Sequence, residues 1–349
     1  MVVRGWPGAI ATAAGAAAAA SAAQLGLAYG MDIISWPAMV GARADEAWTA
    51  GLTWAAWVAA SSTIVGAIVT DRLAHRPEPG GTLLWRGVLA AAAALGAAAT
   101  VVLIAVPARV AEVSGVVQPQ TAAAGRALFG VVVGLALTFL ALRSRAVTVN
   151  LIATGGWLWA LAVVAVIDGV LADRGWARVP LGFWDLQLEG PWFRSLLLPD
   201  VGIAVGAALV IGLLAALPAV RRGDSSIGVA TSGAAGPLLV AAAYLLAQPQ
   251  LVDATAVDLS RQLTVPYLIG VGLAGSLLAT LLHPRGTQEE ADQPADSDLP
   301  EPDNSDLSQP AEDAVSEAPA AIPAPRERGR SRSRKRDRPV LAGVDSDQA

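Results

Sequence analysis

Few side chains in this chain of 349 residues are suited to catalysis or metal binding. Cysteine is absent, and the two histidines, His75 and His283, border charged segments. These facts exclude disulfides and thiolate metal sites and argue against histidine metal clusters and Ser–His triads. The phosphate-loop, H-E-x-x-H and G-x-S-x-G motifs are also missing. We expect no enzyme, cofactor or metal, although loop carboxylates such as Asp173, Asp185 and Glu189 leave glycosyl acid–base chemistry as an alternative.

The most distinctive polar stretch runs from Asp168 to Asp200 and is rich in aromatic residues. Its rings and charged groups could form a docking surface for a protein, a lipid headgroup or a glycan. The alternative is a re-entrant or interfacial segment that seals a helix bundle, because tryptophan favours the membrane interface. Trp36 and Trp48 lie near the first loop and could extend this surface. The candidate surface comprises Trp176, Phe183, Trp184, Asp185, Glu189, Trp192, Phe193 and Arg194.

A glycine motif of a nucleotide-binding type occurs at residues 270–275, GVGLAG. The G-x-G-x-x-G fingerprint binds a pyrophosphate only between a strand and a helix N-terminus, whereas this copy lies inside an apolar span. We therefore interpret it as small residues that allow close helix packing. We expect the same role for two glycine pairs with four-residue spacing, Gly130 with Gly134 and Gly202 with Gly206.

Ionisable residues within the apolar spans are rare, and such residues are functional candidates because they are costly in lipid. Arg126 and Asp168 each lie about one helical turn from a span end. They are predicted to share one depth on neighbouring antiparallel helices, where they could pair; separate snorkelling into the headgroups is the alternative. Uncharged polar residues could line a path or bond to their own helix carbonyls: Ser61, Ser62, Thr63, Thr138, Asn150 and Thr154.

The elements that position these residues are membrane helices. The chain is 54% hydrophobic and only 15% charged, whereas soluble domains average about a quarter charged residues. A hydrocarbon core of about 30 Å requires roughly 20 apolar residues as a helix. Eight stretches qualify: 7–29, 47–70, 84–106, 121–142, 147–171, 201–220, 231–246 and 264–282.

Loop charges orient these spans, because arginines in short loops stay on the cytoplasmic side. One set of connections carries Arg72, Arg76, Arg143, Arg145, Arg221, Arg222 and Arg285, and the other carries mainly acids. Both termini are therefore predicted in the cytoplasm and the aromatic loop outside. Arg4 and the small residues around Ala20-Ser21-Ala22 leave a cleaved signal peptide as an alternative for the first span.

After Arg285 the composition changes to that of a disordered tail. Residues 286–325 are acidic and proline-rich, and residues 326–338 form a basic cluster. The cluster could bind anionic lipids, remain solvated or associate with the acidic stretch. We do not expect nucleic-acid binding, because no aromatic residue is interleaved to stack on bases. The candidate lipid-binding residues are Arg328, Arg330, Arg332, Arg334, Lys335 and Arg336.

The expected fold is thus an all-α polytopic transmembrane bundle of about eight helices over residues 1–285, with a disordered cytoplasmic tail over 286–349. We expect a non-enzymatic scaffold or accessory subunit in the cell membrane. Its expected partners are the lipid bilayer and a membrane or extracytoplasmic protein. The alternative is a transporter or facilitator of a small or lipid-like solute, with a path near Ser61, Thr63 and Asn150.

Overall fold

The structure is a computed structural model that describes residues 5–38, 40–74, 82–113, 115–171, 179–183, 199–247 and 256–282. The chain divides into two units, Met1–Ala291 and Asp292–Ala349. The second unit, which includes the predicted basic cluster, lies outside the described residues.

All regular secondary structure in the described residues is α-helical. The helices are α1 (Trp6–Gly30), α2 (Ala42–Leu73), α3 (Thr82–Ala97), α4 (Ala99–Ala108), α5 (Pro119–Arg143), α6 (Arg145–Leu171), α7 (Pro199–Arg221), α8 (Ser226–Ser232), α9 (Ala235–Ala247) and α10 (Ala256–Leu282). Proline lies in the first turn of α1 and of α5, where its missing N–H costs no hydrogen bond.

Eight segments of this fold are long and apolar enough to cross a membrane, and each overlaps one predicted span. The prediction of a multi-pass helix bundle is therefore confirmed. The third span consists of α3 and α4, and the seventh consists of α8 and α9. The seventh span begins at Ile227, four residues before its predicted start at Thr231, because the short helix α8 extends it.

Helix α2 lies at the centre of the bundle. It contacts α1, α3, α5 and α9, and residues 51–60 are all buried. Trp54, Trp57 and Ser62 in this core are at most 1% exposed. The axis of the bundle is therefore occupied by a helix and its side chains.

Small residues allow the backbones of several helices to approach closely. A Cβ atom added at Gly130 or Gly134 of α5 would collide with the backbone of Ala56 or Ala60 of α2. The prediction for this pair is confirmed. The prediction for Gly202 and Gly206 of α7 is wrong, since a Cβ at either position would meet nothing within 4 Å. Four-residue spacing alone does not say which face of a helix meets a neighbour.

The G-x-G-x-x-G copy on α10 contributes to a junction of three spans. Gly272 packs against Gly233, at the break between α8 and α9, and against Gly212 of α7, while Gly275 packs against the α7 backbone at Leu209. Gly270 faces open space. The packing interpretation is therefore confirmed for the second and third glycines of the motif and is wrong for the first.

Candidate functional site

The described part of the aromatic loop, residues 179–183, lies inside the bundle. Val179, Leu181 and Phe183 are 3%, 1% and 1% exposed. Gly182 has a φ of +79°, a conformation that side chains rarely adopt, and this turn directs Phe183 inward. The Phe183 ring packs edge-on against Tyr244 of α9, with ring centroids 5.9 Å apart.

Two side chains hydrogen-bond to the backbone of this segment. Trp54 Nε1 of α2 donates to the Val179 carbonyl at 2.8 Å, and the Tyr244 hydroxyl donates to the Leu181 carbonyl at 2.8 Å. Irregular backbone at membrane depth needs such partners because lipid offers none. The segment is thus held between the central helix and α9 as a plug, which we call the 179–183 plug.

Three residues that were predicted to contribute to an exposed surface are buried or packed against another ring. Phe183 is a core residue, so its assignment to an exposed docking surface is wrong. Trp48, which was expected to extend that surface, is only 6% exposed, and Trp36 packs against it with ring centroids 5.2 Å apart. Over residues 179–183 the structure agrees with the sealing alternative. The other candidate surface residues lie outside the described residues: Trp176, Trp184, Asp185, Glu189, Trp192, Phe193 and Arg194.

A small cavity lies beneath the plug, between α6, α7, α9 and α10. Its walls include Gly182, Phe183, Ala208 and Val240, and its volume is about 40 Å³. Since one water needs about 10–15 Å³ by this measure, the cavity has the volume of only about three waters. The space below the 179–183 plug is therefore too small for a transported solute much larger than this.

Arg126 and Asp168 lie on α5 and α6, as predicted. The Arg126 Nε atom is buried and has no hydrogen-bond partner, and Asp168 takes part in an interaction. Their mutual pairing stays a prediction.

Several of the polar side chains that could either line a path or bond to their own helix carbonyls form hydrogen bonds within the bundle. Thr63 Oγ1 donates to the Ala59 carbonyl at 2.9 Å, and Thr138 Oγ1 donates to the Gly134 carbonyl at 2.7 Å. Both bonds stay within one helix, as the alternative interpretation of these residues proposed. They leave these hydroxyls oriented along their own helices rather than toward a passage.

Asn150 has a different role, because its side chain accepts a hydrogen bond from the backbone at the start of α9. The first N–H groups of a helix have no partner within that helix. Pro237 has no N–H, and the Gly236 N–H donates to Asn150 Oδ1 of α6 at 2.8 Å. A Cβ at Gly236 would collide with Thr154 Oγ1. Asn150 therefore caps a helix break within the membrane.

A second polar group centres on Gln24 of α1. Gln24 Oε1 accepts hydrogen bonds from Ser61 Oγ at 3.0 Å and Trp159 Nε1 at 3.1 Å, and Gln24 Nε2 donates to Ser62 Oγ at 2.9 Å. The group joins α1, α2 and α6. Sequence analysis did not single out Gln24, although it is the only amide side chain in the first predicted span. That isolation was the signal that could have identified it.

Beside Gln24 lies a groove of about 290 Å³, which we call the α1–α6 groove. Trp57 and Ser61 of α2 form its floor. It opens to the side of the bundle, since Val65 and Ile152 on its rim are 37% and 54% exposed. Its lining residues are Ala20, Ala23, Gln24, Trp57, Ser61, Ile64, Val65, Leu151, Ile152, Gly155, Gly156, Trp159 and Leu239.

A larger cleft of about 630 Å³ lies at the opposite end of the bundle from the plug, between the α5–α6 turn and α8. Its rim carries Arg143 and Arg145, and the neighbouring turn holds an Arg222–Asp224 ion pair at 3.2 Å. Arginines at such a position normally meet lipid headgroups. The cleft is therefore in keeping with a membrane boundary at this end.

Within the described residues, no group of three His, Asp or Glu side chains is placed to hold a metal ion. The geometry thus offers a plug, two intramembrane polar groups and a lateral groove. Comparisons with family models, with curated proteins and with solved structures find no match for this chain, so its function is argued from its own residues and geometry.

Proposed function

We propose that this chain is a non-enzymatic scaffold or accessory subunit of the cell membrane, with both termini in the cytoplasm. The observation that carries the proposal is the filled axis of the bundle. Helix α2 occupies that axis, and the 179–183 plug closes over a space of about 40 Å³. A protein of this kind holds its shape and presents surfaces, whereas a transporter needs a polar path that continues through the bundle. The polar cleft beside Arg143 and Arg145 lies at one end of the bundle.

Two further features support a static bundle. Glycine contacts bring α5 against the backbone of α2 at Ala56 and Ala60, which leaves no space for solute between these helices. The irregular backbone of the plug is tied to α2 and α9 by the bonds from Trp54 and Tyr244. Opening a path along α2 would break both sets of contacts.

A cysteine accessibility scan tests the proposal against a transporter. Because the chain has no cysteine, each introduced thiol is the only one to react. Ser62 and Thr63 are 0% exposed, and Ser62→Cys and Thr63→Cys are expected to resist a small water-soluble maleimide in native membranes and to react after denaturation. Labelling of either residue in the native membrane would instead support the transporter alternative.

The same scan tests the orientation, with residues in exposed loops as matched controls. Val117 is 94% exposed in the connection between α4 and α5, and Ser225 is exposed in the turn between α7 and α8. In intact cells, Val117→Cys should react with an impermeant maleimide, and Ser225→Cys should react only after permeabilisation. The reverse pattern would contradict cytoplasmic termini.

The scaffold role also requires a partner, and the aromatic loop is where we propose that it binds. Cross-linking in membranes should capture a partner protein, and Trp184→Ala with Trp192→Ala should reduce the yield of that cross-link at least about tenfold, as expected for aromatic anchors worth 2 kcal/mol or more. Tyr267→Ala is the aromatic control, since Tyr267 is 73% exposed on α10. An unchanged yield in the tryptophan variant would exclude the loop as the binding surface.

A further inference from the structure

The α1–α6 groove combines apolar walls with unused hydrogen-bond donors. The Trp57 side chain is 1% exposed, and its Nε1 atom has no hydrogen-bond partner in the structure. The ring edge next to Nε1 faces α6, since Trp57 Cζ2 lies 3.7 Å from the position of a Cβ at Gly155. Gly155 also lines the groove. A buried donor without a partner is costly, so a ligand that supplies an acceptor here gains affinity.

Gln24 adds a second donor at the same place. Its Oε1 atom already accepts two hydrogen bonds, from Ser61 and Trp159, which fix the orientation of the amide. Its Nε2 atom donates one hydrogen to Ser62 and carries a second hydrogen. The polar groups of the groove thus offer N–H donors to a ligand, and no charged side chain is among the lining residues. These features select a neutral ligand with acceptor oxygens.

The depth of the groove restricts the ligand further. Trp57 is 13 residues from the start of the second span at Ala44 and 16 from its end at Leu73, which is about 20 Å and 24 Å along a helix. The hydrocarbon core is about 30 Å thick, so this donor lies near its middle. Ester carbonyls of phospholipids lie at the headgroup boundary and do not reach this depth. The ligand must therefore be dissolved wholly in the hydrocarbon.

The shape of the groove favours a flat ring. Ala20 and Ala23 of α1 and Gly155 and Gly156 of α6 are among its lining residues, so small residues of both helices border part of the groove and leave room for a ring. From these features we propose that the groove binds a neutral, membrane-dissolved molecule of the prenylated-quinone class, with a ring carbonyl that accepts a hydrogen bond from Trp57 Nε1 and the chain along the apolar rim. This site goes beyond the scaffold role and does not depend on it.

Binding is tested with the full-length protein in detergent and two probes of one shape: a decyl-1,4-naphthoquinone and decylnaphthalene, which has no oxygen. A ligand that binds the native state raises the melting temperature in a saturable way. The quinone is expected to do so, and the hydrocarbon is expected to bind at least about tenfold more weakly. Equal binding of both probes, or no saturable shift with the quinone, would overturn the proposal.

Substitutions in the α1–α6 groove test whether the quinone binds there. A Cβ at Gly156 meets nothing within 4 Å, so Gly156→Leu should fold and fill the groove, which abolishes the saturable shift. Gly270→Leu is the matched control on α10, where the space is also open and no groove residue lies. Trp57→Phe should weaken quinone binding about five- to tenfold without affecting the hydrocarbon. Undiminished quinone binding by Gly156→Leu would overturn the site, and unchanged affinity of Trp57→Phe would overturn the hydrogen bond.

Discussion

Two pairs of glycines with the same four-residue spacing have different surroundings in this bundle. On α5, a Cβ at Gly130 or Gly134 would collide with the backbone of α2. On α7, a Cβ at Gly202 or Gly206 would meet nothing within 4 Å. The first pair lies at the central interface, and the second meets none of the described residues within 4 Å.

The difference is explained by what lies on the opposite helix. The α5 glycines meet Ala56 and Ala60, which have the same four-residue spacing on α2, so two small-residue faces come together. Helix α7 makes its close approach lower down, at Gly212, where it meets Gly272 of α10. At these two places, therefore, the close approach occurs where small residues of both helices are in register.

The largest loss in the free energy of unfolding is expected for Gly134→Leu. The new side chain would be directed at the backbone of Ala60 on a helix that also contacts α1, α3 and α9. Overpacking typically costs 1–3 kcal/mol, and with a backbone as the obstacle we expect a loss of about 3 kcal/mol or more in the free energy of unfolding. Unfolding of the purified protein in mixed micelles of increasing SDS content measures this loss.

Gly202→Leu is the matched control for that experiment. Because the position is open, we expect a change within about 0.5 kcal/mol. If both variants lost stability equally, the difference between the two pairs would not hold. If neither did, the α2–α5 contact would be looser than the structure indicates.

The same contrast explains which parts of the fold could be predicted from the sequence. The eight spans were predictable because the length of an apolar run is a local property. The central position of α2 was not, because lipid and protein interiors are equally apolar and hydropathy does not separate them. The burial of Phe183 was missed for a related reason, since an aromatic residue beside charged ones suits an interface and a core equally well. Its ring partner Tyr244 and the Trp54 side chain that bonds to Val179 of the same segment are distant in sequence.

A smaller loss of stability is expected at Asn150, where a hydrogen bond rather than glycine packing joins α6 and α9. Asn150→Val removes the acceptor of the Gly236 N–H in a region without water, and we expect a cost of about 1–3 kcal/mol. Hydrogen exchange should show the specific consequence, which is lost protection of the Gly236 amide. Thr63→Val is the control, since Thr63 bonds within its own helix, and it should leave that amide protected. Equal protection in both variants would exclude Asn150 as the cap.

The smallest change in the free energy of unfolding is expected when alanine replaces Gly202 or Gly206. In a soluble helix, Gly→Ala at a compatible site gains about 0.4–1 kcal/mol, chiefly because the unfolded chain loses freedom. In a membrane the unfolded reference state keeps its spans helical, because no water satisfies the backbone, so this gain should largely vanish. We therefore expect Gly202→Ala and Gly206→Ala to change the free energy of unfolding by less than about 0.5 kcal/mol in mixed micelles. A full gain of 1 kcal/mol would mean that α7 is not helical in the unfolded state. A clear loss would mean that another chain packs against this face of α7 in the micelle, which would replace the open surface by a second close interface.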